Sequence, residues 1–190
     1  FAGSADALAE AAESAGAELT TVALAIDPGN RKLTGLPPDW FDQASFLTDS
    51  FFIIEADGSA GKSLKGYLPH EPVIPGKTPL VIPVVGLDVL GKPLVEDYVH
   101  RAVVAAAICG CRLYDSITTD VISKLLLSAS GYQRHIPPAA KTVYCLNKAE
   151  SAAAVAAAQN IVAVLQNTQR CSVVAGSVRA NIFMQWPAWE

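Results

Sequence analysis

The apolar positions of this chain fall into short continuous runs, not one repeating period, and their spacing predicts strands alternating with helices. Ser4 to Gly16 offers an N-cap, an acidic first turn, good helix formers and a terminating glycine, the pattern of a helix. Leu19 to Ile26 is rich in strand formers and closes on Asp27-Pro28-Gly29-Asn30, which is turn chemistry. Phe51-Phe-Ile-Ile54 is continuously apolar and runs into Glu55-Ala-Asp-Gly58, as expected of a buried parallel strand with polar site residues at its carboxyl end. It is expected to be the centre of the protein. Prolines 69, 72 and 75 forbid a helix between Gly66 and Gly76. Leu80 to Val85 reads as a further strand, in which Pro83 cannot donate to a ladder and so implies an edge or a bulge. Helical composition returns at Val95 to Ile108 and at Thr119 to Ser128, the second capped by Thr118 or Thr119. A strand from Lys141 to Leu146, a capped helix from Ser151 to Gln166 and a strand from Cys171 to Ala175 complete the series.

Strand, helix, strand, helix, strand predicts an α/β fold, three-layered around a mostly parallel sheet, and residues 1–190 read as a single domain without an internal repeat. Composition narrows the function. With 51% hydrophobic residues in 190, the chain can bury a real core. Fourteen Lys+Arg against 18 Asp+Glu, a net charge of −4 and no long basic run argue against a nucleic-acid partner. Pro83 and Asp88 interrupt the longest apolar stretches, so no membrane span is expected. Cys109, Cys111, Cys145 and Cys171 are too few for a disulfide framework, and a reducing cytoplasm is the expected location. The Cys109-Gly110-Cys111 pair lacks the further ligands a zinc site needs and reads as two plain thiols.

Three places carry candidate chemistry. Ala56 to Ser63 nearly matches the GxxxxGK(S/T) phosphate loop, but that loop needs a helix directly after it, and Gly66 and the prolines leave no room for one. It is read as a decoy. Glu55 instead closes an apolar run as the acidic residue of a Walker B strand does, and Glu55-Ala-Asp57-Gly58 fits a (D/E)xxG switch; the alternative is a plain polar turn at a strand end. Asn147-Lys148-Ala149-Glu150 follows a strand as the NKxD base-recognition motif does, with Glu150 where that motif has Asp; the alternative is a simple helix start. Gly176-Ser177 is placed to supply a second base-contacting loop; the alternative is ordinary turn chemistry after a strand. The three histidines lie far apart, and no Gly-x-Ser-x-Gly elbow supports a serine nucleophile.

Taken together, Glu55-Ala-Asp-Gly-Ser-Ala-Gly-Lys-Ser-Leu-Lys65, His70-Glu-Pro-Val-Ile-Pro75, Val85-Gly-Leu-Asp-Val-Leu-Gly-Lys-Pro93, His100-Arg101 and Leu146-Asn-Lys-Ala149 resemble the YqeC family. Lys32-Leu-Thr-Gly-Leu-Pro-Pro-Asp-Trp40 matches it upstream. The family comprises accessory proteins of selenium-dependent molybdenum hydroxylases and resembles P-loop NTPases. The resemblance implies a chain that binds Mg²⁺ with ATP or GTP and uses hydrolysis to help mature a molybdenum hydroxylase, with that enzyme or a cofactor-maturation protein as partner. The family's own phosphate loop lies in a strand-loop-helix upstream of Phe1, so the chain is expected to be the remainder of such a domain.

On this reading Glu55 and Asp57 are catalytic and hold Mg²⁺, while Gly58, Lys62, Asn147, Lys148, Glu150 and Ser177 contact nucleotide. Lys65, His70, Glu71, Asp88, Lys92, His100 and Arg101 form a switch or partner surface. The rival expectation is a non-catalytic module that binds a protein or cofactor; a Rossmann-like transferase is a third.

Overall fold

The computed structural model describes residues 2–14, 21–29, 31–43 and 51–187. They gather into two compact units, one of Phe1–Glu55 with Val73–Thr78 and one of Ala56–Pro72 with Pro79–Glu190.

In the first unit, helix α1 (Ala5–Ser14) starts where the Ser4 hydroxyl accepts the Ala7 N–H, and it buries Leu8. Strands β1 (Ala25–Ile26) and β2 (Leu33–Thr34) pair antiparallel across the predicted turn, where the Asp27 carboxylate accepts the Gly29 N–H at 2.8 Å. Of the predicted Leu19–Ile26 strand, residues 19 and 20 lie outside the described residues, residues 21–24 are not strand, and only Ala25–Ile26 pairs. Helix α2 (Pro38–Gln43) follows, and Phe41 meets Phe52 edge to face.

Phe51 to Ile54 corrects the sequence expectation. These residues form no strand, and Phe51 and Ile53 are 103% and 94% exposed. A continuous apolar run becomes a strand only where a neighbour takes up its backbone hydrogen bonds, and no described strand lies alongside this one.

The second unit holds the main sheet. Strands β3 (Leu64–Lys65) and β6 (Val99–His100) form a small parallel pair. Strands β4 (Leu80–Val81) and β5 (Val84–Gly86) both pair parallel with β7 (Lys141–Asn147); β7 pairs parallel with β8 (Ser172–Ser177), and β8 antiparallel with β9 (Ile182–Trp186). Pro83 splits β4 from β5 at the sheet edge, as its missing donor requires, and its carbonyl still accepts the Cys145 N–H. Strand β9 is an addition to the expected series.

Helix α3 (Ala102–Cys109) starts seven residues later than expected. Val95 to Tyr98 instead form a turn, β6 pairs with β3, and Arg101 takes a left-handed φ of 58°. The Glu96 carboxylate then accepts the N–H groups of Arg101 and Ala102 at 3.0 and 2.7 Å, capping the helix from outside it. Helix α4 (Thr119–Leu127) is capped by Thr118 and helix α5 (Ala152–Thr168) by Ser151. Ala158, Ile161, Val162 and Leu165 recur at helical spacing on the buried stripe of α5.

One hydrophobic core joins Tyr144, Leu146, Val173 and Ala175 of the sheet to the buried faces of α3, α4 and α5. Val84, Cys145, Val174 and Gln185 share the other sheet face by register, where Val84 is 52% exposed. The fold class is α/β with mainly parallel strands. No helix among the described residues is long and apolar enough to cross a membrane. All four cysteines are free thiols, Cys109 and Cys171 buried, and burial pushes the Cys109 thiol up to about 12.

Candidate functional site

Strands β5, β7 and β8 run parallel, so their carboxyl ends open on one edge of the sheet, the place where α/β sheets present ligand-binding loops. Three stretches separated in sequence meet there. The Lys148 ammonium, just past β7, donates to Ser63 Oγ and to Asp88 Oδ2, each at 2.8 Å. Asp88 sits in the 3₁₀ turn (Leu87–Val89) that follows β5. Burial opposes ionisation of Asp88, but hydrogen bonds from Lys148 and Ser63 outweigh it and hold the carboxyl below the usual carboxylate range.

Gly86 makes the meeting possible. A Cβ there would stand 2.6 Å from Ser63 Oγ and 2.8 Å from Asp88 Oδ1, so only glycine leaves room for both. Lys148 itself is held at a left-handed φ of 62°, a conformation costly outside glycine and concentrated at functional loops.

The loops after β7 and β8 are tied together. Val178 N–H donates to Asn147 Oδ1 at 3.1 Å, Ala149 N–H to the Gly176 carbonyl at 2.9 Å, and the Ser177 hydroxyl to Glu150 Oε1 at 2.7 Å. The structure thus brings Asn147, Lys148, Glu150 and Ser177 to one edge with Asp88. Ser151 is the N-cap of α5, so Glu150 lies before the helix and not in its first turn.

Asp57, Gly58, Lys65, Glu71 and Arg101 form a second cluster in the same unit. Lys65 is 1% exposed, and its ammonium bonds Asp57 Oδ2 at 2.7 Å, the Gly58 carbonyl at 2.8 Å and Glu71 Oε1 at 3.2 Å. The Arg101 guanidinium pairs with both oxygens of Glu71. Burial works against the Glu71 carboxylate, yet hydrogen bonds from Arg101, the Leu68 N–H and Lys65 prevail and bring its pKa down to about 2. The Tyr67 hydroxyl donates to Asp57 at 3.4 Å, its ring meets Tyr132 edge to face, and Tyr132 accepts the Lys65 N–H. Burial first, with the neighbouring Tyr132 and Asp57, raises the Tyr67 pKa and keeps the hydroxyl a donor. Lys65, read from sequence as part of a switch or partner surface, is a buried cation.

Among the described residues, the side chains of Glu55, Lys62, His70, Lys92 and His100 make no hydrogen bond or ion pair with either cluster. Glu55 is exposed and belongs to the first unit. Lys62 donates to the Asp97 carbonyl, and strand β3 follows Ser63 where a phosphate loop would need a helix. His70 is exposed, His100 is half-buried in β6, and Lys92 stands over the Tyr98 ring. No cluster of three or more His, Cys, Asp or Glu side chains that could hold a metal occurs among the described residues. Sequence singles out Ser63 only as the last residue of the near phosphate-loop match, and no sequence pattern singles out Tyr67. Each acquires its role through a partner distant in the chain, Lys148 lying 85 residues from Ser63.

Comparison with known proteins places this arrangement in a family context. The family model described as YqeC protein matches residues 3–103. The uncharacterized protein YqeC of Escherichia coli (strain K12) is 30% identical over 118 residues, covering 62% of this chain and 46% of that protein. The match thus spans about half the length of that relative. No solved structure matches.

Proposed function

The chain belongs to the YqeC family, and from that premise we propose that it binds a purine nucleoside polyphosphate with Mg²⁺ along the carboxyl edge of β5, β7 and β8. The observation that carries this reading is the Lys148 ammonium bridging Ser63 and Asp88 beside the joined loops of Asn147, Glu150 and Ser177. Carboxyl strand ends, a lysine, a hydroxyl and carboxylates with an amide side chain are the ingredients of a nucleotide site.

The donor set fits a magnesium nucleotide better than a bare metal. Mg²⁺ beside phosphates takes one or two protein oxygens and draws its other ligands from the phosphates and water. Asp88 and Ser63 would offer those oxygens, and Mg²⁺ would supply charge neutralisation at the phosphates. Lys148, freed in part from Asp88, would cover the base or meet a phosphate; Asn147 and Glu150 would read the base edge. The extra methylene of Glu150 relative to aspartate, and its bond to Ser177, disfavour strict guanine selection.

Family resemblance extends the reading to hydrolysis coupled to maturation of a selenium-dependent molybdenum hydroxylase, with a P-loop NTPase-like fold in the whole protein. Glu55 is the candidate for the hydrolytic step, and turnover should vanish in Glu55→Ala. A second reading is favoured by Asp57, whose carboxylate is already taken by Lys65 and Tyr67: the chain binds nucleotide or partner without cleaving anything. Thermal melting with MgATP, MgGTP or neither tests binding, since a ligand of the folded state raises the melting temperature. Phosphate release in the same samples separates the two readings.

A further inference from the structure

A groove of about 510 Å³ lies on the second unit, lined by none of the sheet-edge residues named above and unused by that reading. Leu68 and Pro69, Val104 and Ile108 of α3, and the polar Ser130 and Arg134 line it. Its walls are well fixed. Gly66 lets the chain before Leu68 close directly on α3, because a Cβ there would fall 2.6 Å from the Ala105 nitrogen. The Lys65 and Arg101 bonds to Glu71 hold the same loop from behind. On the other side the turn after α4 is pinned by Tyr132 N–H to the Leu125 carbonyl, by Arg134 N–H to the Gly131 carbonyl and by Ser130 N–H to Ser128 Oγ.

The guanidinium of Arg134 is short of partners. Its Nε is buried without any hydrogen-bond acceptor, one terminal nitrogen makes a long 3.4 Å bond to the Ser130 carbonyl, and no carboxylate among the described residues pairs with it. Glu71 and Asp57, the acidic groups behind the Leu68 wall, are spent on Lys65 and Arg101. A guanidinium with no carboxylate partner among the described residues, lining a cavity of the size that small ligands occupy beside apolar side chains, is half of a recognition pair.

We propose that this groove binds an amphipathic organic carboxylate. The planar fork of Arg134 takes the two carboxylate oxygens, and the apolar body lies along Leu68, Pro69, Val104 and Ile108. The site is independent of the nucleotide edge, so its occupancy does not depend on that reading.

The test is titration of the chain with 1-naphthoate, 1-naphthalenemethanol and 1-naphthyl phosphate by calorimetry, alongside the Arg134 Nε–H resonance. Naphthoate should bind at least about tenfold more tightly than the alcohol, the worth of one charge-assisted hydrogen bond, and should move the Nε–H resonance. Arg134→Gln should erase the preference, and Val104→Trp, which fills the groove, should abolish binding of both. Equal binding of acid and alcohol, an unmoved Nε–H resonance, or no naphthoate binding at about 1 mM overturns the proposal. Tighter binding of the phosphate than of naphthoate overturns the carboxylate assignment. Because the resonance is read in the unaltered chain, the proposal stays open to disproof even where a variant fails to fold.

Discussion

Lys148 and Asp88 are sixty residues apart in the chain, yet their charged atoms stand 2.8 Å apart where two neighbouring parallel strands end. The contact couples the motif after β7 to the turn after β5 and brings in Ser63, so three separate stretches of sequence become one surface. Both side chains are nearly half exposed, which leaves them accessible to a ligand.

Replacing Lys148 by alanine should therefore change stability little. Exposed pairs contribute about 0–1 kcal/mol. The rise in melting temperature on adding MgATP or MgGTP should be largely lost, and melting curves with and without nucleotide check both statements in one experiment.

Glu71 should govern part of the acid limb of stability. Its folded pKa of about 2 lies below the ordinary value of about 4.3, so its contribution is complete above that value and drains away as pH falls through the interval. Glu71→Gln should cost about 3 kcal/mol at neutral pH, because Lys65 stays buried with one partner fewer. The same variant should flatten the loss of stability between about pH 4.3 and pH 2. Urea midpoints measured across that range decide it.

Ile53 and Leu146 make a paired test of the placement of apolar runs. Leu146 is 0% exposed, and its truncation to alanine should cost about 2–5 kcal/mol. Ile53 is 94% exposed, and Ile53→Ser should fall within about 0.5 kcal/mol of the parent chain. A large loss at Ile53 in chemical denaturation would show that the run is covered.

Thr118 accepts the Val121 N–H at 3.3 Å and is the local signal that starts α4. Thr118→Ala should cost about 1 kcal/mol, and the conservative Thr118→Ser should restore most of it, both read from the urea midpoint.

The contrast between Thr118 and Ile53 shows what the sequence could disclose. Caps at Ser4, Thr118 and Ser151 act within three or four residues, so their helices were legible, and the central strand β7 was bounded to within a residue by its apolar run. The start of α3 was not legible, because it depends on β6 finding β3 and on Glu96 reaching the first free N–H groups. Phe51 to Ile54 misled for the same reason in reverse, since an apolar run says nothing about whether a strand partner is present. At the candidate site the residue types after β7 were visible in the chain. Their joining to Ser63 and Asp88, and the burial of Lys65, come from long-range contacts that no local pattern encodes.

The most direct test of the nucleotide reading is amide chemical-shift mapping of the isotope-labelled chain on titration with MgATP and with MgGTP. The account predicts saturable shifts centred on Asp88, Lys148, Glu150 and Ser177, absent in Lys148→Ala. Resonances that do not move with either nucleotide, or shifts confined to residues away from that edge, would contradict it.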